Sequence, residues 1–150
     1  MGDFSVIDLG TFKRNECSPA IDEPVEALRI DTPSTVVLRP GANFPLCGSF
    51  RAAAPLVNSH MAIGQEIVIV AVDAANHHPR AANLALGDGI PAPMAFDETL
   101  KGWRQRAAKG WFNVDLFDLV GVPRKPGRYH VFATVSYLTS NVCTVSVVEP

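Results

Sequence analysis

The chain has 150 residues, 47% of them hydrophobic and 19% charged, with 11 Gly, 12 Pro and a formal net charge of −2. This length fits one domain, since about 100–200 residues usually make one, and the apolar share excludes a disordered acidic or basic tail protein. No run approaches the ~18 apolar residues of a membrane helix, and near-neutral charge gives no general attraction to nucleic acid.

Charge divides the chain. Residues 1–31 carry seven acids (Asp3, Asp8, Glu16, Asp22, Glu23, Glu26, Asp31) against three bases (Lys13, Arg14, Arg29). Residues 99–130 carry seven bases (Lys101, Arg104, Arg106, Lys109, Arg124, Lys125, Arg128) against Asp115 and Asp118. The small net charge is therefore a difference between two opposed patches. We read residues 1–32 as an acidic N-terminal arm and 33–150 as a β-sandwich domain. Within the arm, Ser5-Val6-Ile7 and Ala27 to Ile30 are candidates for strand addition to an open sheet edge.

From residue 34 the period of two typical of strands takes over. Ser34 to Arg39 is rich in β-branched residues, and Pro40-Gly41 marks a tight turn, with Pro preset for the first corner and Gly free to take positive φ. The next strand places Phe44, Leu46 and Phe50 on one face and Pro45, Cys47 and Ser49 on the other. Pro45 donates no ladder hydrogen bond, so this strand needs an edge or a bulge near its start. Glu66 to Asp73 is apolar on both faces and reads as a central strand. A long connection follows, with AANHHPR, a short strand at Ala82 to Leu86, and a Gly- and Pro-rich run at 87–93.

Asp97 to Lys109 predicts a short helix, with Asp97 as N-cap, Leu100, Trp103 and Ala107 on one stripe and Gly110 as a stop. Trp111 to Leu116 alternates, with Phe112, Val114 and Leu116 inward, and a helical turn capped by Asp115 and Asp118 covers Phe117 to Val120. The next strand has Tyr129, Val131, Ala133 and Val135 on one face. Ser140-Asn141 makes a turn, and Val142 to Val148 is the last strand, with Cys143, Val145 and Val147 inward.

The run from Phe112 to Val135 followed by SNVCTVSVVE resembles the last strands of immunoglobulin-like and fibronectin-III-like sandwiches, with a Pro126-Gly127-Arg128-Tyr129 approach to the penultimate strand. The resemblance covers about the last 40 residues of the chain. It implies an all-β, immunoglobulin-like antiparallel sandwich in which Tyr129 has a structural role at the corner. The family's inter-sheet disulfide is missing, because Val131 stands two residues after Tyr129. No functional residue carries over, since the fold hosts many activities.

The three cysteines, Cys17, Cys47 and Cys143, lack metal-ligand spacing and predict free thiols. Alternation turns Cys47 away from the core and Cys143 toward it, which argues against a bridge between them. The first 30 residues lack a basic start and an unbroken apolar run, so a natural start at Met1 predicts a cytoplasmic protein and a removed signal predicts an exported one.

Trp103 and Trp111 bracket RQRAAKG, and with Arg104, Arg106 and Lys109 they form the candidate binding set, aromatic faces beside cations. Core plugs are the plainer reading of both tryptophans. Asp73, His77 and His78 are weak candidate metal ligands, because adjacent histidines diverge on a strand but not in a loop. Solvated loop histidines are the plainer reading. No cofactor is implied, and no nucleophile elbow or calcium loop is present. The leading expectation is a non-catalytic interaction or structural module, with the acidic arm docked on a basic surface of the same chain, of a second copy in a homo-oligomer, or of another protein. A carbohydrate-binding sandwich using Trp103 and Trp111 is the alternative, and a metal-dependent enzyme at Asp73, His77 and His78 stands third.

Overall fold

The structure is a computed structural model describing residues 4–5, 7–22, 26–53, 67–84, 95–96, 107–135 and 138–150. In chain order the elements are β1 (Ala27–Asp31), β2 (Thr35–Val37), β3 (Pro45–Ala53), β4 (Val68–Asp73), β5 (Pro79–Asn83), β6 (Ala95–Phe96), β7 (Ala107–Asp115), α1 (Leu116–Leu119), β8 (Gly127–Val135), β9 (Leu138–Thr139) and β10 (Cys143–Val148). The fold is all-β, a sandwich of two packed sheets. One sheet runs β1-β3-β7-β6 and the other β2-β10-β8-β4-β5, with β9 hairpinned onto β8. Among the described residues all pairings are antiparallel except β2 with β10.

The alternation that sorts the faces holds along the main strands. Leu28 and Ile30 of β1, Leu46 and Phe50 of β3, and Phe112 and Val114 of β7 are buried against Ile69 and Ala71 of β4, Tyr129, Val131, Ala133 and Val135 of β8, and Val145 and Val147 of β10. This shared apolar face is the main favourable term for such a domain. Cys143 is half-buried at the margin of the same face. Val68, Val70 and Val72, expected to be buried on a central strand, are only half-buried. The middle position of that sheet belongs to β8, and β4 has β5 beyond it.

Gly48 and Phe112 are register partners between β3 and β7. The Phe112 ring occupies the space of the missing side chain, with a ring atom 2.0 Å from where a Cβ would stand. A glycine here is thus a packing requirement.

One end of the sandwich is closed by α1 and the loops around it. Asp115, the N-cap of α1, accepts from Phe44 N and Phe117 N through Oδ1, each at 3.0 Å. Phe44 and Phe117 meet edge to face at 5.6 Å between centroids, and the Arg124 guanidinium lies 4.4 Å over the Phe117 ring. The Pro40-Gly41 turn forms as expected, with Ala42 N donating to Arg39 O and Gly41 at φ +77°.

Two expectations fail. Residues 107–109, predicted as the end of a helix, belong to β7, and Gly110 continues that strand instead of stopping a helix. Pairing with β3 overrides the local pattern there. Residues 97–106 lie outside the described residues. The cysteines are not all free thiols either: Cys17 and Cys47 form a disulfide, with Cα atoms 5.9 Å apart, and Cys143 remains free. Cys47 does point away from the core, and that orientation lets it meet a cysteine from the arm.

Pro45 sits where the sequence required an edge. The β1 pairing ends at Cys47, so at Pro45 only β7 lies alongside. Ala27–Asp31, inside the segment read as the arm, is the edge strand of the first sheet. Among the described residues no helix is long and apolar enough to cross a membrane.

Candidate functional site beneath the N-terminal arm

Period-two alternation leaves the outer face of the first sheet polar. Strand register sets it out in rows: Asp31, Cys47 and Asn113; then Arg29, Ser49 and Trp111; then Ala27, Arg51 and Lys109. On an uncovered sheet these side chains would meet water. Instead Cys47, Ser49, Arg51 and Asn113 are all buried, at 0%, 3%, 5% and 0% exposure.

The arm provides the cover. Gly10 N donates to Asn113 O at 2.7 Å and Asn113 N donates to Thr11 O at 2.9 Å, so Thr11 forms an antiparallel bridge on the β7 edge. The Asn113 carboxamide also donates through Nδ2 to Lys13 O at 2.7 Å and reaches the carbonyl and hydroxyl of Thr11 at 3.3 Å. The chain then tightens at Asn15 to Ser18, where Asn15 N donates to Ser18 Oγ and Ser18 N to Asn15 O. Cys17 is locked to Cys47 one residue before Ser18. Thus the arm runs from the β7 edge across the face to β3 before returning as β1.

Between arm and sheet lies a cavity of about 250 Å³, walled by Pro19, Ala20 and Ile21 on one side and Ser49, Arg51, Lys109 and Trp111 on the other, with Arg14 at its margin. Among the described residues, three bases from three segments line it and no acidic residue does. Among the described residues, Asn15 Nδ2, Ser49 Oγ and Asn113 Oδ1 are buried without a hydrogen-bond partner. All three belong to this seam. An unsatisfied buried polar group typically costs about 1–3 kcal/mol, so the seam is held by covalent and backbone links in spite of its polar filling.

Of the candidate binding set, Lys109 and Trp111 come together at the cavity. Trp103, Arg104 and Arg106 lie outside the described residues. Trp111 is half-buried on the outer face and is not a core plug. Arg14, Ser49 and Arg51 were not among the candidates. Extending the alternation from Cys47 by two and four residues puts Ser49 and Arg51 on its face, and the β3–β7 register then sets them beside Trp111 and Lys109.

Asp73, His77 and His78 form the β4–β5 turn. The Asp73 carboxylate accepts from Ala75 N at 2.8 Å, His77 N donates to Asp73 O, and His77 takes a positive φ of 59°. Both histidines are exposed, which fits solvated turn residues. Among the described residues no group of three or more His, Cys, Asp or Glu is placed to hold a metal ion.

The chain matches no protein-family model, and no curated protein is significantly similar to it.

Proposed function

We propose that this protein is a non-catalytic binding module in which the N-terminal arm docks on the basic outer face of its own sandwich. One observation carries this reading: the arm is fastened there twice, covalently through Cys17 and Cys47 and by backbone pairing of Gly10 and Thr11 with Asn113. A free polar tail has no reason to hold such a path.

The immunoglobulin-like kinship belongs to the same proposal. If β1, β3, β7 and β6 are taken as A, B, E and D, and β10, β8 and β4 as G, F and C, the sheets follow the order of that family. Tyr129, 1% exposed, then stands near the start of F. The disulfide favours a compartment in which such bonds persist. A carbohydrate-binding reading retains support from Trp111 at the cavity wall.

Light scattering and thermal unfolding of the full chain and of a version lacking residues 1–22 test the docking. The expected result is a monomer in both cases and a lower unfolding temperature without the arm. A dimer that the deletion converts to a monomer would place the arm on a second copy instead. Unchanged stability would overturn docking altogether.

A further inference from the structure

We propose that the cavity beneath the arm is a binding site for a small ligand bearing an oxyanion, a phosphate monoester or a carboxylate. This goes beyond the docking of the arm, which supplies only one wall of the site.

The first argument is electrostatic. Arg51 and Lys109 face each other as register partners on the same side of the sheet, which brings two cationic side chains to one place. Arg14 brings a third positive charge to the same cavity. Arg51 and Lys109 each keep further contacts of their own, to which a bound anion would add. Placed among these three groups, an oxyanion accepts charge-assisted hydrogen bonds, the strong class. Arginine suits this role because its planar fork matches carboxylate and phosphate oxygens.

Ser49 supplies the second, independent argument. It lines the cavity between the Cys47 and Arg51 positions, is 3% exposed, and its hydroxyl has no partner among the described residues. Buried hydroxyls are normally satisfied. An oxyanion in the cavity would accept a hydrogen bond from it.

The walls set the rest of the ligand. Trp111 on the sheet side and Pro19 and Ile21 on the arm side offer apolar surface to a carbon skeleton, which a bare inorganic ion would leave unused. A volume of about 250 Å³ lies below the roughly 300–1,000 Å³ of drug-sized pockets. The ligand is therefore small, of the size of a sugar phosphate or a sugar acid.

Isothermal titration calorimetry and thermal shift on the full, oxidised chain test this, with inorganic phosphate, glucose 6-phosphate, gluconate and glucose at matched ionic strength. The expected result is saturable binding of glucose 6-phosphate or gluconate, whichever headgroup the site prefers, tighter than inorganic phosphate and absent for glucose. Arg14→Gln, at an exposed arm position, and Lys109→Gln should each weaken it about tenfold or more, while Trp111→Phe should reduce the margin over inorganic phosphate. Glucose binding as well as its phosphate would overturn the proposal in favour of a neutral sugar site. No saturable heat with any anion would overturn it, as would affinities unchanged in both charge variants with folded spectra.

Discussion

Asn141 closes the outer edge of β1 by bonding both backbone groups of Ile30: its Oδ1 accepts from Ile30 N at 2.9 Å and its Nδ2 donates to Ile30 O at 2.9 Å. The carboxamide stands in for one residue of a neighbouring strand. It reaches the first sheet from the turn before β10 in the second, and so joins the two sheets at their margin. Open edges invite pairing with another chain. With each hydrogen bond contributing about 0.5–1.5 kcal/mol, Asn141→Ala should lower stability by about 1–3 kcal/mol in urea unfolding. It should also raise concentration-dependent association in light scattering. A variant equal to the parent in both measurements would mean that water replaces the carboxamide without loss.

Gly48→Ala should be among the most damaging single changes. A Cβ at this position meets the Phe112 ring at 2.0 Å, and both residues lie inside a well-paired strand couple that cannot easily part. Overpacking of this kind costs about 1–3 kcal/mol or more. Gly48→Ala combined with Phe112→Leu should recover part of the loss, which a double-mutant cycle measures as coupling. Simple additivity would show that the ring does not govern the site.

Thiol counting distinguishes the three cysteines. Without reductant, unfolded protein should yield one reactive thiol, Cys143, and three after reduction. In the native state Cys143 should label slowly, because burial pushes its thiol above the ordinary value of 9.0, and the rate should keep climbing at pH beyond that value. The Cys17–Cys47 link spans 30 residues, and loop-closure entropy for that span is worth about 3–4 kcal/mol. Cys17→Ser should therefore lower stability by up to about that amount. Three reactive thiols before reduction would contradict the bridge.

Asp115 links stability to pH. Burial raises its pKa above the ordinary 3.8, outweighing the opposite effect of the Phe44 and Phe117 amides. With the folded pKa above the unfolded one, the associated stability is fully present below the ordinary value and is lost as the pH rises through the raised one. Asp115→Asn keeps an acceptor for both amides and removes the ionisation. Between pH 3 and 6 the parent should therefore lose stability relative to Asp115→Asn in urea unfolding. The opposite trend would show that the cap favours the charged carboxyl.

The faces of the sandwich were legible in the sequence because each depends on local alternation. Phe44, Leu46 and Phe50, then Phe112, Val114 and Leu116, then Tyr129, Val131, Ala133 and Val135 all lie inward as their spacing requires. The α1 turn with its Asp115 cap was legible for the same local reason. The site was only half legible. Lys109 and Trp111 were candidates by composition, but Arg14 joins them only through the path of the arm, which spacing along the chain does not encode. The disulfide was hidden similarly: Cys47 was oriented correctly, yet nothing local to either cysteine brings Cys17 over that face. The predicted helix does not extend over residues 107–109 because β3 offers Ala107, Ala108 and Lys109 strand partners that local propensity does not register.

The Cys17–Cys47 bond also decides how the molecule carries a mechanical load. It closes a covalent ring that contains β1 on one sheet and β2 on the other. Tension applied at the N-terminus passes from Cys17 straight to Cys47 in β3, an interior strand flanked by β1 and β7. The two edge strands that would peel first are thereby kept out of the line of force. Reduction would return them to it and release about 100 Å of hidden contour length, at roughly 3.3–3.6 Å per residue over the 30-residue span.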